Sequence, residues 1–307
     1  MIIIASINLS SLSDKKIKST ILAGADILRY NLGYFITKEQ IEHIKSAQNI
    51  IEELNSDTKI MLDIPANCVR LGNFPLRFFE VKENQPLILK STDYSADCNE
   101  FLPVVAEKIG KMLQPNQIIA IGNGEVMIVV KEIIDENTVE AVSLSSGYIQ
   151  ALRSVNLPID ENEFIKMLKQ KMAFVKELEP DYIALPYIDE KINKKVLALP
   201  QLANNQIKKV IKMGNQESLK NLKNICQNTN YQMITMDRGK LGIFTPYEKI
   251  GLMQKEIIKM ANSYHKIIII ATQILESTTE NYIPSKADVC DLTNIILDGA
   301  DGIMLSK

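Results

Sequence analysis

Short runs of β-branched and other apolar residues alternate along the chain with longer segments in which apolar residues recur every three to four positions. The short runs predict buried strands at Ile2–Ile7, Asp26–Tyr30, Lys59–Asp63, Tyr182–Pro186, Lys209–Met213, Gln232–Met236, Ile267–Ala271 and Gly302–Leu305. The longer segments predict helices at Lys38–Leu54, Glu161–Leu178, Glu217–Cys226, Pro246–Ser263 and Lys286–Leu297. This alternation is typical of parallel βα units, and the strand number favours a closed TIM-type (β/α)8 barrel over an open sheet.

Residues 71–152 interrupt this rhythm. Short segments with alternating apolar and polar residues, such as Gln117–Ile121 and Glu125–Val130, flank a turn at Gly122–Gly124. The pattern is typical of hairpins in a β-rich domain. We therefore predict that residues 1–70 and 153–307 form the barrel domain and that residues 71–152 form an inserted, β-barrel-like domain. A decorated loop is the alternative, although the segment has the length of a small domain.

The last predicted strand ends almost at Lys307, so the eighth barrel helix is expected to be missing. Two barrel helices would then leave an uncovered gap, with apolar sheet surface exposed between them. A partner protein, a second copy of the chain or a truncated chain would each explain such a gap, and the sequence does not decide among them.

Composition and charge narrow the function classes. The 35 Lys and Arg nearly cancel the 37 Asp and Glu, and no long run of like charge occurs, so a nucleic-acid partner is not expected. The apolar start Met1–Ile7 lacks a basic leader and a cleavage site, which indicates a buried strand and not a signal peptide. No stretch of eighteen apolar residues predicts a membrane span.

Cysteine and histidine usage restricts the available chemistry further. The four cysteines are scattered without paired spacing, which predicts reduced thiols and a cytoplasmic protein. The only histidines, His43 and His265, lie in helix-like segments, so neither a histidine metal site nor a Ser-His-Asp triad is expected. Any catalytic parts must therefore come from Lys, Arg, Asp, Glu, Ser and Thr.

Seven segments, read in order along the chain, resemble motifs of the pyruvate kinase family. They are ADILRYNLGY (25–34), IMLDIPANCVR (60–70), VNLP (155–158), KMGNQES (212–218), RGKLG (238–242), ATQILES (271–277) and LDGADGIMLS (297–306). One such match would be weak, but seven in the correct order are specific. The resemblance implies a barrel with an inserted domain, phosphoryl transfer from phosphoenolpyruvate to ADP, and Mg²⁺ and K⁺ as cofactors. The family's C-terminal domain is missing from the sequence.

The positions that resemble the family's metal ligands are altered. In the family, a divalent ion is held by a glutamate two residues after the catalytic lysine and by an aspartate in the glycine-containing loop. Here those positions are Gly214 and Lys240. Mg²⁺ needs oxygen ligands, usually including a carboxylate, so we expect no metal there although Mg²⁺ is a cofactor of the family.

The monovalent-cation site is altered in a similar way. The resemblance places Asn31 and Asp63 among its ligands, and both are present. The positions that resemble a serine and a threonine ligand carry Gly33 and Ile64. We therefore expect an eroded K⁺ site.

The residues that survive form a coherent set. The resemblance implies a catalytic role for Arg29 near the transferring phosphoryl group, for Lys212 on the phosphoryl and enolate oxygens, and for Thr272 near the carbon that gains a proton. It further implies a substrate-binding set that comprises Asn31, Asp63, Arg238, Gly239 and Lys240.

Each role has a structural alternative. Lys212 could be an ion-pair partner, Arg29 could form a salt bridge to Asp63, and Thr272 could be an ordinary polar strand end. Lys240 could fill the space of the lost metal through a salt bridge to Asp237 or another carboxylate.

Three functional hypotheses follow from these residues. The first is a divergent member of the family that binds a phosphoenolpyruvate-like or 2-oxo-acid anion without standard Mg²⁺-dependent kinase chemistry. The second is a non-catalytic homologue that acts as a binding or scaffold protein. The third is an active pyruvate kinase that recruits its metal differently. Lys240 favours the first hypothesis, because a cation stands where a carboxylate was lost.

Overall fold

The structure is a computed structural model that describes residues 1–7, 13–33, 37–66, 69–157, 160–203 and 206–306. The chain divides into two compact units, one comprising Met1–Ala66 and Glu161–Lys307 and the other Asn67–Asp160. The sequence had placed these divisions after residues 70 and 152. Tyr34, Cys68 and Pro158, which belong to the motifs quoted above, lie outside the described residues.

The first unit is a closed barrel of parallel strands, which confirms the predicted fold class. The strands are Ile2–Ile7, Ile27–Asn31, Lys59–Asp63, Tyr182–Pro186, Lys208–Met213, Tyr231–Asp237, Ile267–Ala271 and Gly302–Leu305. Consecutive strands along the chain are neighbours in the barrel, and the first strand pairs with the last to close it. All carboxyl ends of the strands therefore meet at one rim, where barrel folds place their chemistry.

Helices separate these strands along the chain. They span Asp14–Leu22, Lys38–Glu53, Glu161–Leu178, Glu190–Leu197, Pro200–Ala203, Gln216–Lys220, Leu222–Gln227, Arg238–Phe244, Ile250–Ser263 and Lys286–Leu297. The single helix predicted at Glu217–Cys226 is wrong, because two short helices meet at Asn221, whose backbone leaves the helical region and whose side chain bonds the Glu217 carbonyl. No helix follows the eighth strand within the described residues, which end at Ser306.

The interior of the barrel is a layer of apolar side chains from the strands. Its members are Ile4, Ile27, Met61, Ala184, Val210, Met233, Ile269, Ala271 and Met304. Side chains alternate between the two faces of a strand, so a residue two positions further also points inward. Arg29, Asp63, Lys212 and Thr235 occupy such positions, one step closer to the carboxyl ends. Charged side chains therefore form the layer next to the apolar interior, on the side of the strand carboxyl ends.

The second unit has its own core and is built mainly from antiparallel strands. It contains strands Arg70–Leu71, Phe79–Val81, Pro86–Ser91, Leu102–Val105, Ile118–Ile121, Val126–Ile133, Thr138–Ser143, Gly147–Ile149 and Val155–Asn156, with a short helix Ile109–Met112. Seven of these strands form a nearly closed mixed sheet, and the other two form a small ladder. The predicted hairpin is present, and its turn contains Gly122 and Gly124 at positive φ.

Two further observations bear on the class of protein. None of the helices in the described ranges is long and apolar enough to cross a bilayer. Cys98, Cys226 and Cys290 are free thiols.

Candidate functional site

A buried ion network lies at the carboxyl ends of three barrel strands, with Asp63 at its centre. The Asp63 side chain is 2% exposed. Its Oδ2 accepts hydrogen bonds from Arg29 Nε at 2.7 Å and lies 2.5 Å from Arg29 Nη2. Its Oδ1 accepts a hydrogen bond from the Lys212 ammonium, which also donates to the Ile64 carbonyl at 2.6 Å. Arg29 Nη1 donates to Ser6 Oγ at 2.7 Å. The salt bridge considered for Arg29 is therefore present.

Electrostatics favour the charged form of Asp63 and oppose that of Lys212. Burial alone would raise the pKa of Asp63, but the charges and hydrogen bonds of Lys212 and Arg29 outweigh burial and hold that pKa below its usual value. Burial lowers the pKa of Lys212, the Asp63 carboxylate opposes this effect, and the nearby Lys240 adds to the lowering. Because two cations face one carboxylate, the network carries an excess positive charge.

A second cluster lies at the ends of the sixth and seventh strands. Asp237 closes the sixth strand and caps the following helix, since its Oδ1 accepts the Lys240 backbone N–H at 3.2 Å. The Thr272 hydroxyl accepts the Gly239 N–H at 2.8 Å and donates to the Ala271 carbonyl at 2.6 Å. The predicted site residues Gly239 and Thr272 are thus in direct contact.

Arg238 binds protein groups with every nitrogen of its guanidinium. Nε and Nη2 donate to the Thr272 carbonyl at 3.2 and 3.0 Å, and Nη2 also donates to the Gln273 carbonyl at 2.7 Å. Nη1 donates to both oxygens of Asp291 at 2.8 and 2.9 Å and contacts Gln254 Oε1 at 3.4 Å. These contacts use the five N–H donors of the side chain. We therefore propose a positioning role for Arg238, in place of the substrate contact expected from the sequence.

The loop that Arg238 holds has an uncommon backbone. Thr272, Gln273 and Leu275 have φ values of 69°, 55° and 51°. Left-handed conformations of non-glycine residues persist only where the surroundings impose them, and they concentrate at functional sites. The Arg238 hydrogen bonds to the carbonyls of this loop supply that constraint.

The Lys240 side chain lies directly beside Gly214. A Cβ on Gly214 would lie 3.2 Å from Lys240 Cβ and 3.4 Å from Lys240 Cδ. The salt bridge from Lys240 to Asp237 considered above is not formed, and in the part of the chain that the structure describes the Lys240 ammonium has no ion-pair partner. The lysine side chain therefore fills the space beside Gly214 and keeps its charge uncompensated.

The residues at this position do not fit a divalent cation. Magnesium prefers an octahedral set of oxygen ligands that includes one or two carboxylates. Asp237 Cβ would lie 3.6 Å from a Cβ on Gly214, and the Asp237 carboxylate already accepts the Lys240 N–H. No group of three or more His, Cys, Asp or Glu side chains among the described residues could hold a metal.

Sequence reasoning did not name Ser6 or Thr235, and it considered Asp237 only as a salt-bridge partner of Lys240. Ser6 accepts from Arg29, Asp237 joins Lys240 to Thr272, and Thr235 lies beside Lys212 in the strand register. The Thr235 side chain is 1% exposed, and within the described ranges its hydroxyl has no hydrogen-bond partner. The period-two pattern of the sixth strand could have revealed Thr235, because it follows an inward-facing methionine by two positions.

The fold and the site together define a class: a TIM-barrel protein with a β-rich insertion after the third strand and a cationic rim at the strand ends. A sequence profile described as "Pyruvate kinase, barrel domain" matches residues 1–307. The chain therefore belongs to the pyruvate kinase family.

Relatives named pyruvate kinase are similar over nearly the whole chain. The chain is 29% identical to the protein of Thermococcus litoralis, over 99% of this chain and 64% of that protein. It is 28% identical to the protein of Thermotoga maritima, over 96% of this chain and 63% of that protein. The chain thus spans less than two thirds of the length of these relatives.

Proposed function

We propose that this protein binds a small anion, of the phosphoenolpyruvate or 2-oxo-acid type, at the cationic rim of the barrel without a divalent metal. It would not carry out standard Mg²⁺-dependent kinase chemistry. The observation that carries the proposal is the uncompensated Lys240 beside Gly214. Membership of the family supports the chemical class of the ligand.

The charge of Lys240 can do part of the work of a metal. A bound divalent ion stabilises the oxygens of a carboxylate or phosphate by several kcal/mol in typical enzymes. An ammonium supplies one positive charge and three donors without fixed coordination geometry. Lys240 is close enough to lower the pKa of Lys212 by charge repulsion, so an anion between the two ammonium groups would relieve that repulsion.

Thr235 supports the same location. A buried hydroxyl without a hydrogen bond costs about 1–3 kcal/mol relative to a satisfied one. Thr235 lies beside Lys212 in the register, so a ligand oxygen near the Lys212 ammonium would be within the same part of the barrel. An anion there would gain an additional donor.

Calorimetry with oxalate tests the proposal. The titration is done with the parent chain and with Lys240→Asp, each in EDTA and in Mg²⁺. Lys220→Asp serves as the control, because it makes the same charge change at an exposed helix position paired with Glu217. The double variant Gly214→Glu with Lys240→Asp completes the set.

The expected pattern is specific. The parent and Lys220→Asp bind oxalate in EDTA, Lys240→Asp loses this binding, and the double variant binds only with Mg²⁺. Binding by the parent weakens with added salt because part of it is screened Coulomb attraction. Equal metal-free binding by the parent and Lys240→Asp would show that Lys240 does not contact the anion.

A non-catalytic binding or scaffold role is the second candidate. Helix Lys286–Leu297 buries only Ile295 fully and exposes Val289, Ile296 and Leu297. Such apolar residues on one helix are characteristic of a surface that a second molecule covers. If oxalate fails to bind under every condition while the chain self-associates or takes up a partner, this second role is the better account.

A further inference from the structure

We infer that the Lys212 ammonium is the resident cation of an oxygen cage at the barrel rim, and that this cage does not take up potassium. The cage consists of the Asp63 carboxylate and the Ile64 carbonyl, beside Asn31 at the end of the neighbouring strand. The inference concerns only these oxygens, so it holds whatever anion the rim binds.

The oxygens of the cage are already occupied by N–H donors. Asp63 Oδ2 accepts a hydrogen bond from the Arg29 guanidinium, and Asp63 Oδ1 accepts one from the Lys212 ammonium. The Ile64 carbonyl accepts a hydrogen bond from the same ammonium at 2.6 Å. Asn31 Oδ1 accepts the Gly33 N–H at 2.8 Å. A monovalent cation needs several such oxygens at once, and here each of them faces a donor.

The two positions at which the family resemblance implies further ligands supply no side-chain oxygen. Gly33 and Ile64 have no side-chain oxygen, although the family resemblance implies a serine and a threonine ligand at these positions. The cage therefore depends on the Asp63 and Ile64 oxygens that the Lys212 ammonium occupies.

Charge favours the tethered ammonium over a free ion. Lys212 and Arg29 both contact one carboxylate, so a third cation would be repelled by two like charges at contact distance. An ammonium carries the same charge as potassium and is similar in size. Because Lys212 is covalently attached, its occupancy does not depend on salt.

The position of Lys212 leaves part of it available to a ligand. An ammonium has three N–H donors, and two go to Asp63 and Ile64. Across the described ranges the third has no acceptor, and the side chain remains 19% exposed. Lys212 can thus fill the cage and still face an anion at the rim.

Thermal unfolding of the full chain in KCl and in tetramethylammonium chloride, at equal ionic strength, tests the inference. The parent midpoints should agree to within about 1 °C. Lys212→Ala empties the cage and should gain a potassium-selective rise in midpoint that follows mass action. Lys240→Ala is the matched control, because it removes the same charge from a neighbour that contacts none of the cage oxygens.

The results that overturn the inference are distinct. A saturable, potassium-selective stabilisation of the parent would show that the cage is an ordinary potassium site. A folded Lys212→Ala that stays insensitive to potassium would show that the ammonium does not substitute for an ion. If Lys212→Ala does not fold, thallium(I) NMR on the parent decides: no bound signal is expected, and a bound signal displaced by KCl refutes the inference.

Discussion

Replacing Arg238 by methionine tests whether its guanidinium holds the strained loop after the seventh strand. Methionine keeps most of the buried side-chain volume and removes all five donors. The carbonyls of Thr272 and Gln273 then lose charge-assisted hydrogen bonds that are worth about 1.5–3 kcal/mol each. The Asp291 side chain is 33% exposed, so water can replace the lost guanidinium. The lost Arg238–Asp291 ion pair therefore contributes little to the loss of stability.

The expected loss in the free energy of unfolding is therefore about 3–6 kcal/mol, which is a large part of a typical stability. Urea unfolding measures the total. Hydrogen exchange of residues 271–277 measures the local effect, because the loop carries left-handed residues that Arg238 constrains. In Arg238→Met the free energy of unfolding should fall and the hydrogen exchange of residues 271–277 should become faster.

Lys255→Met is the control for this experiment. Lys255 pairs with Asp298 at 2.5 Å, and its side chain is more than half exposed. Exposed pairs are worth about 0–1 kcal/mol, so this variant should lose little stability and leave the exchange of residues 271–277 unchanged. The reasoning is refuted if Arg238→Met also loses less than about 1 kcal/mol and its loop exchanges at the parent rate.

Three further predictions follow. In a coupled assay with phosphoenolpyruvate, ADP, Mg²⁺ and K⁺, turnover should lie far below the 1–100 per second that is typical of kinases, because Gly214 and Lys240 stand at the positions that resemble the family's metal ligands. An ordinary rate would contradict this. Light scattering should show self-association through exposed apolar residues such as Leu297, because burying apolar surface is worth roughly 25 cal/mol per Å². A clean monomer at high concentration would count against this prediction. Because the folded pKa of Asp63 is lowered, its carboxylate stabilises the fold above an unfolded-state pKa of about 3.9 and this contribution fades as pH falls further. The stability gap between the parent and Asp63→Asn should therefore shrink below about pH 4, and a gap that is constant from pH 7 to pH 3 would show that charge plays no part.

The barrel could be predicted from the sequence because each strand is a short apolar run bounded by polar residues. Two of the predicted helices begin directly after capping boxes, at Thr37 and Ser285. Local hydrogen bonding decided the exception at Asn221, where a side-chain amide competes with the helix backbone. Periodicity alone carries no information about such competition.

The sequence could place the candidate residues at one rim, but it could not give most of their contacts. Motifs located Arg29, Lys212, Lys240 and Thr272, and the fold brought them to one rim because parallel strands end together. The partners of Arg238 could not be predicted, because Gln254 and Asp291 lie far away along the chain. Which acceptor a long cationic side chain reaches depends on tertiary distances that no local pattern encodes.

The contact between Lys240 and Gly214 also sets an order for mutational change. A side chain cannot be added at position 214 without meeting the lysine stem at 3.2 Å, whereas shortening Lys240 meets no such obstacle. A lineage that regained the acidic pair would therefore have to alter position 240 first and position 214 second. In the reverse order a Cβ at position 214 would first have to displace the Lys240 side chain by a few tenths of an ångström, so a carboxylate pair is reached more easily when position 240 changes first.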